Sequence, residues 1–346
     1  MMKTLILVVV MLSGLSIASG QNNFSIDEIL SQQYEFKMIS SGNNLPNFNT
    51  SDKELTDIVV LLHHGKTPDE IQKYFNWDDR TFDSRLEILK NADFVKSGKD
   101  GNLLPNVFVC PVKDGLTITR QLNPVIKQTA DTIQRLSINI ARMTGQLNAF
   151  KKTKFEDVSF LILSDVLLDN WQINNVENDF LKTLRTSRHG KHYYASYQEN
   201  LKGTDTEAFG IYGNQVENAS DFAICRYGNR RYSKEILSLN ADLKKEYASS
   251  GAFKQFSCSI IDTTDNSRLQ LIADSFKPSL IKILNQNKNL FQKNYKESPY
   301  SKEISFEEYF IWVYHFYYTA VTNELINRNV IKMPGGKVIF YILKNE

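Results

Sequence analysis

Thr67-Pro68-Asp69-Glu70-Ile71-Gln72-Lys73-Tyr74-Phe75-Asn76-Trp77-Asp78-Asp79-Arg80-Thr81-Phe82-Asp83-Ser84-Arg85-Leu86 contains two helix starts in quick succession. Pro68 takes a first helical position, where its missing N–H costs nothing, and Asp69 and Glu70 sit on the positive end of the helix dipole. Ile71 and Phe75 form one apolar stripe. Asn76-Trp77 is a short turn, and Asp78 or Asp79 caps the next helix, whose apolar positions are Phe82, Leu86 and Leu89. Upstream, Ser51-Asp52-Lys53-Glu54 reads as a capping box with Ser51 at the N-cap. Leu55, Ile58, Val59 and Leu62 then recur at helical spacing until Gly65. Downstream, Phe94-Val95 reads as a strand, 97–102 as a tight turn, and Val107-Phe108-Val109 as the return strand.

Three short helices followed by a two-stranded wing resemble the winged helix-turn-helix family. Residues 67–71 and 79–86 are similar to its second and third helices. Leu89-Lys90-Asn91-Ala92-Asp93-Phe94-Val95 is similar to its passage into the wing. The resemblance covers 51–112 and implies a fold more than a function. DNA binding needs a positive third helix, yet Asp78, Asp79, Asp83 and Glu87 outnumber Arg80, Arg85 and Lys90. The wing adds Lys96 and Lys99 against Asp100. Nucleic acid is therefore not the expected partner, and a protein-interaction module is.

The N-terminus points the same way. Lys3, the apolar run from Leu5 to Ile17 and the small residues Ala18-Ser19-Gly20 make a secretory signal over 1–20, cut before Gln21. The apolar core is short for a membrane span, which needs roughly 20 residues. A secreted or periplasmic chain is expected, with no span after cleavage. The turn-rich segment 21–50 reads as a flexible leader. With 41 basic and 39 acidic side chains, the whole protein sets up no field that draws in polyanions. Cys110, Cys225 and Cys258 allow one disulfide, or three buried thiols.

Beyond the wing, 113–150 is expected to be a connecting helix. Ile133, Leu136, Ile140, Met143 and Leu147 form a short heptad-like seam, which suits either dimerisation or packing on the helix's own domain. Residues 151–346 read as an α+β domain. Phe160-Leu161-Ile162-Leu163 suits a buried strand or a helix reaching Trp171. Strands are expected at 192–197, 209–212 and 222–225, and helices at 233–248 and 267–285. Ser305-Phe306-Glu307-Glu308 is a second capping box that opens a strongly aromatic helix. The end reads as a hairpin of Val330-Ile331 and 338–341 around Pro334-Gly335-Gly336.

Candidate chemistry is sparse. His189 and His192 flank a tight turn and are the weak candidates for metal ligands; there is no His-Glu-x-x-His or paired Cys-x-x-Cys. His63-His64 ends its helix as a structural pair. His315 and Glu308 share a helix face and, with His192, are the catalytic candidates. Ser164-Asp165 closes an apolar run. Arg226, Arg230 and Arg231 interleave with Tyr227 and suit an anionic ligand or partner. No cofactor is indicated. The composite expectation is an exported α+β protein without catalysis: a winged-helix interaction module, a connecting helix and a ligand-binding C-terminal domain. A secreted hydrolase and a DNA-binding regulator are the alternatives.

Overall fold

The computed structural model describes residues 24–40, 44–202, 204, 211–219, 221–230, 234–250 and 258–344. The expected signal over 1–20 and Arg231 lie outside these residues. The class is α+β.

The leader is not loose throughout. Ser25 and Glu28 form a reciprocal cap that opens α1 (Ile26–Leu30), and Tyr34–Ser40 is strand β1. Tyr34, Phe36 and Met38 alternate with Glu35 and Lys37, which is the pattern of a two-faced strand. Helices α2 (Lys53–His63), α3 (Pro68–Phe75) and α4 (Asp79–Asn91) follow. Asp52, not Ser51, caps α2, its carboxylate accepting from Leu55 N. Thr67 with Glu70 caps α3 reciprocally, left-handed Asn76 ends it, and Asp78 caps α4. Strand β2 (Val95–Ser97) pairs with β3 (Leu103–Pro105). The return strand is thus 103–105. Residues 107–109 belong with β4 (Phe108–Cys110), which runs parallel to β6 in another sheet. Apolar side chains on both faces of β4 make it a central strand rather than a wing edge.

The connecting helix is two helices, α5 (Val112–Gln121) and α6 (Asn123–Thr144). They break at Leu122, because Pro124 has no N–H for the carbonyl four residues back. Ile133, Ile140 and Leu147 lie in the larger core, with Leu136 and Met143 packed against it. Helices α10 and α13, placed below, cover this face, so the seam packs within its own chain.

Residues 160–163 are helical. Helix α7 (Phe155–Phe160) runs on as a π-helix over Leu161–Val166, and α8 (Ile173–Asn175) as another over Val176–Leu181. Strands β5 (Ser187–Arg188) and β6 (Lys191–Glu199) are joined by His189 and Gly190, both with positive φ. This is the backbone that a two-residue hairpin turn requires. Of the strand expected at 209–212, residues 209–210 lie outside the described residues and Ile211-Tyr212 precede strand β7 (Gly213–Asn218); β8 spans Phe222–Gly228. Next come α9 (Lys234–Ser250), β9 (Ser259–Ile261), α10 (Thr263–Gln286), α11 (Lys288–Lys296), α12 (Tyr300–Glu303), α13 (Phe306–Asn327) and β10 (Val338–Lys344). There is no terminal hairpin: β10 inserts between antiparallel β8 and parallel β9. Its run of Val338, Ile339, Phe340, Tyr341 and Ile342 is apolar on both faces, as a central strand needs.

Two sheets organise the cores. In the first, β6 lies between β1 and β4. Tyr193, Ala195 and Tyr197 on β6 face a small core with Ile58, Leu62, Ile71, Phe82 and Leu89. Tyr194, on the opposite face, joins Phe108 and the aromatic residues of α13 in the large core. The second sheet has the order β7-β8-β10-β9. Its outer side packs on α9 through Phe222, Ile224, Leu243 and Ile342. No helix among the described residues is long and apolar enough to cross a membrane. Cys110, Cys225 and Cys258 are free thiols.

Candidate functional site

The site is built around Glu308 and Arg188. Ser305 caps α13 as expected, accepting from Glu308 N at 3.1 Å. The second half of that capping box is absent, because the Glu308 carboxylate turns inward. Both its oxygens lie 2.9 Å from Arg188 Nη2, and it also accepts from Thr186 Oγ1 (3.0 Å) and Ala195 N (3.1 Å). Both side chains are buried. Burial pushes the Glu308 carboxyl above its ordinary range, opposed by the Arg188 guanidinium and the Ala195 N–H. Arg188 also donates to the carbonyls of Tyr193 (2.8 Å) and Asn106 (2.7 Å). Its Nε–H meets no hydrogen-bond partner among the described residues.

Arg188 lines a cleft of about 240 Å³ between residues 46–48, the end of α4 and the β5–β6 turn. That volume falls below the roughly 300–1,000 Å³ of sites for drug-sized ligands. The turn places His189 and Lys191 in the same wall. His189 Nε2 is 3.3 Å from Asp93 Oδ2. Lys191 Nζ donates to Leu45 O (2.6 Å) and Asn47 Oδ1 (2.7 Å), two neutral acceptors, and no carboxylate among the described residues pairs with it. Ile88, Pro46, Phe48 and Ala92 form the apolar side.

The other expected residues are dispersed. His192 is exposed, with Nδ1 3.1 Å from Arg185 O. His315 is buried, with Nδ1 2.8 Å from Ile311 O, and burial lowers its pKa to about 4. It makes no hydrogen bond with Glu308, whose carboxylate is taken up by Arg188. Arg226 and Tyr227 are neighbours on β8 and so face opposite sides of the sheet. Arg226 donates to Arg230 O and Gln215 Oε1, whereas Tyr227 OH lies 2.5 Å from Ser164 Oγ in the core. The Arg–Tyr interleaving that looks like one cluster in sequence is split by the pleat. Among the described residues, no three His, Cys, Asp or Glu side chains come together to hold a metal ion.

A second polar group lies in the large core. Ser164 Oγ is 2.6 Å from Thr322 Oγ1, and Asp165 Oδ2 accepts from Asn214 Nδ2 (2.7 Å) and Tyr341 OH (3.0 Å). Burial pushes Asp165 up to about 7 and Asp169 well above its ordinary value. The π-helix turns Ser164 and Asp165 together into the core, and such turns are frequent at functional sites. Both residues are fully buried, whereas the cleft at Arg188 opens to the surface.

Sequence reasoning missed the Arg188–Glu308 pair. Arg188 is one of several basic residues near the His-Gly turn, and nothing local announces a partner 120 residues away. The fold and the cleft together define an α+β protein with a small polar–apolar recess beside its smaller core. Comparison with known proteins gives no match: no family model, no curated protein and no solved structure matches this chain.

Proposed function

We propose that this is an exported, non-catalytic binding protein whose cleft at Arg188 receives an anionic group, next to a winged-helix module that serves protein contacts. The observation that carries the reading is that Arg188, which lines the cleft, has a buried Nε–H with no acceptor among the described residues, beside Lys191, which pairs there with no carboxylate among them. An unpaired buried donor costs about 1–3 kcal/mol, which an incoming acceptor offsets. The helix order α2-α3-α4 followed by the β2–β3 hairpin supports the winged-helix reading. Arg85, a base of the third helix, pairs with Glu54 and lies 4.5 Å from the Trp77 ring centre, which disfavours a phosphate-reading role. The signal over 1–20 supports export.

Calorimetric titration of the mature chain with acetate and inorganic phosphate tests the cleft. At least one anion should bind, and Lys191→Met should weaken it about tenfold or more while leaving the circular dichroism unchanged. If neither anion binds at millimolar concentration, the reading fails. Mass spectrometry of protein recovered outside the producing cell should give a chain beginning at Gln21.

A further inference from the structure

The geometry points to a small organic monocarboxylate with an apolar body as the ligand of the Arg188 cleft. This rests on the anion-binding reading above and adds the ligand's charge, size and second half.

Charge comes first. Arg188 and Lys191 line the cleft, and Glu308 and Asp93 contact its lining residues. These four balance, so the recess carries no excess of positive charge. A dianion brings two uncompensated charges into this balanced recess, whereas a single carboxylate brings one. It faces the Lys191 ammonium and lies beside the Arg188 guanidinium, whose buried Nε–H has no partner among the described residues. Both donors are already held in place, Arg188 by Glu308, Tyr193 O and Asn106 O, and Lys191 by Leu45 O and Asn47. Donors fixed beforehand lose little freedom on binding.

The opposite wall supplies the rest. Ile88 is 41% exposed although it stands on a helix whose other large apolar residues, Phe82, Leu86 and Leu89, are buried. Pro46 and Phe48 continue this surface, and Leu45, 61% exposed, lies beside it. An aliphatic chain attached to the carboxylate covers that surface. The volume of about 240 Å³ limits the chain to a few carbons.

Titrating the mature chain with acetate, hexanoate and inorganic phosphate tests this. Hexanoate has four more methylenes than acetate. With each worth about 0.8 kcal/mol when fully buried, even partial burial gives hexanoate an advantage of at least about tenfold. Ile88→Ser should abolish that advantage and, because it adds no charge, leave acetate binding nearly unchanged. Because Ile88 is half exposed, the variant should keep the wild-type melting temperature. Equal binding of acetate and hexanoate overturns the inference but leaves the anion reading standing. Tighter binding of phosphate than of hexanoate also overturns it, in favour of a dianion. Binding of none of the three removes both.

Discussion

His63 of α2 and Glu303 of α12 clasp each other across 240 residues of chain, with Nδ1 3.0 Å from both carboxylate oxygens. Nε2 lies 3.8 Å from Asp114, and the imidazole stacks on Tyr300 with centroids 5.4 Å apart. Burial works against the imidazolium, but the Glu303 and Asp114 carboxylates prevail and raise its pKa to about 10. The folded state therefore holds this proton more tightly than the unfolded chain. The resulting stability is fully present below pH 6.5 and is lost as pH rises through about 10. Glu303→Gln leaves a buried cation short of its main partner and should cost about 3–5 kcal/mol in urea unfolding at pH 7. A variant as stable as wild type would refute the clasp.

Asp165 should give a pH dependence of its own. Its pKa is raised to about 7 by burial, so the folded chain again binds the extra proton. The contribution is fully present below the unfolded value near 4 and disappears as pH climbs through about 7. Asp169 is raised in the same direction by burial and by Asp165 itself. Asp165→Asn removes the titration but keeps a polar group for Asn214 and Tyr341. Urea midpoints between pH 5 and 8 should fall less steeply for the variant; parallel curves would disprove the assignment.

Gly228 ends β8 at φ 153°, and a Cβ there would lie 2.3 Å from Lys337 O. The obstacle is the backbone that delivers β10 into the sheet, so no side-chain rotation relieves it. Gly228→Ala should destabilise the chain by more than about 1 kcal/mol, lowering the melting temperature. An unchanged melting temperature would show that the β8–β10 approach is looser than described.

The α6 seam makes a stability prediction and an assembly prediction. Ile133 is fully buried in the large core. Ile133→Ala should cost about 2–5 kcal/mol through lost burial and the cavity left behind. Its sedimentation mass should equal that of wild type, because the seam meets α10 and α13 of the same chain. A wild-type dimer converted to monomer by this change would restore the seam as an interface.

Local signals in the sequence carried far, because caps and apolar periodicity act within a few residues. The starts of α3 and α4, the cap of α13, strand β6 and the helix order of 51–91 all follow from neighbours in the chain. Ser51 gave way to Asp52 because either side chain can reach the first free N–H groups, and the geometry of the entering loop selects one. Strands β4 and β10 read as hairpin strands in the sequence, but β4 pairs with β6 and β10 with β8 and β9. Each has a nearby turn and an apolar partner in sequence, but an apolar run with two buried faces needs two neighbouring strands. Those neighbours come from distant segments.

The sequence by itself determined the secondary elements that cap and turn locally, and the mixed α+β character of the chain. Only the tertiary structure decided what the charged residues do. Glu308 reads as the partner of its own helix cap, yet it pairs with Arg188. Arg226 and Tyr227 read as one cluster, yet the strand pleat sends them to opposite faces. Long-range ion pairs and the side of a sheet depend on which segments meet, and no spacing along the chain encodes that. The Arg188 cleft exists because β5–β6, the end of α4 and residues 46–48 come together beside the smaller core.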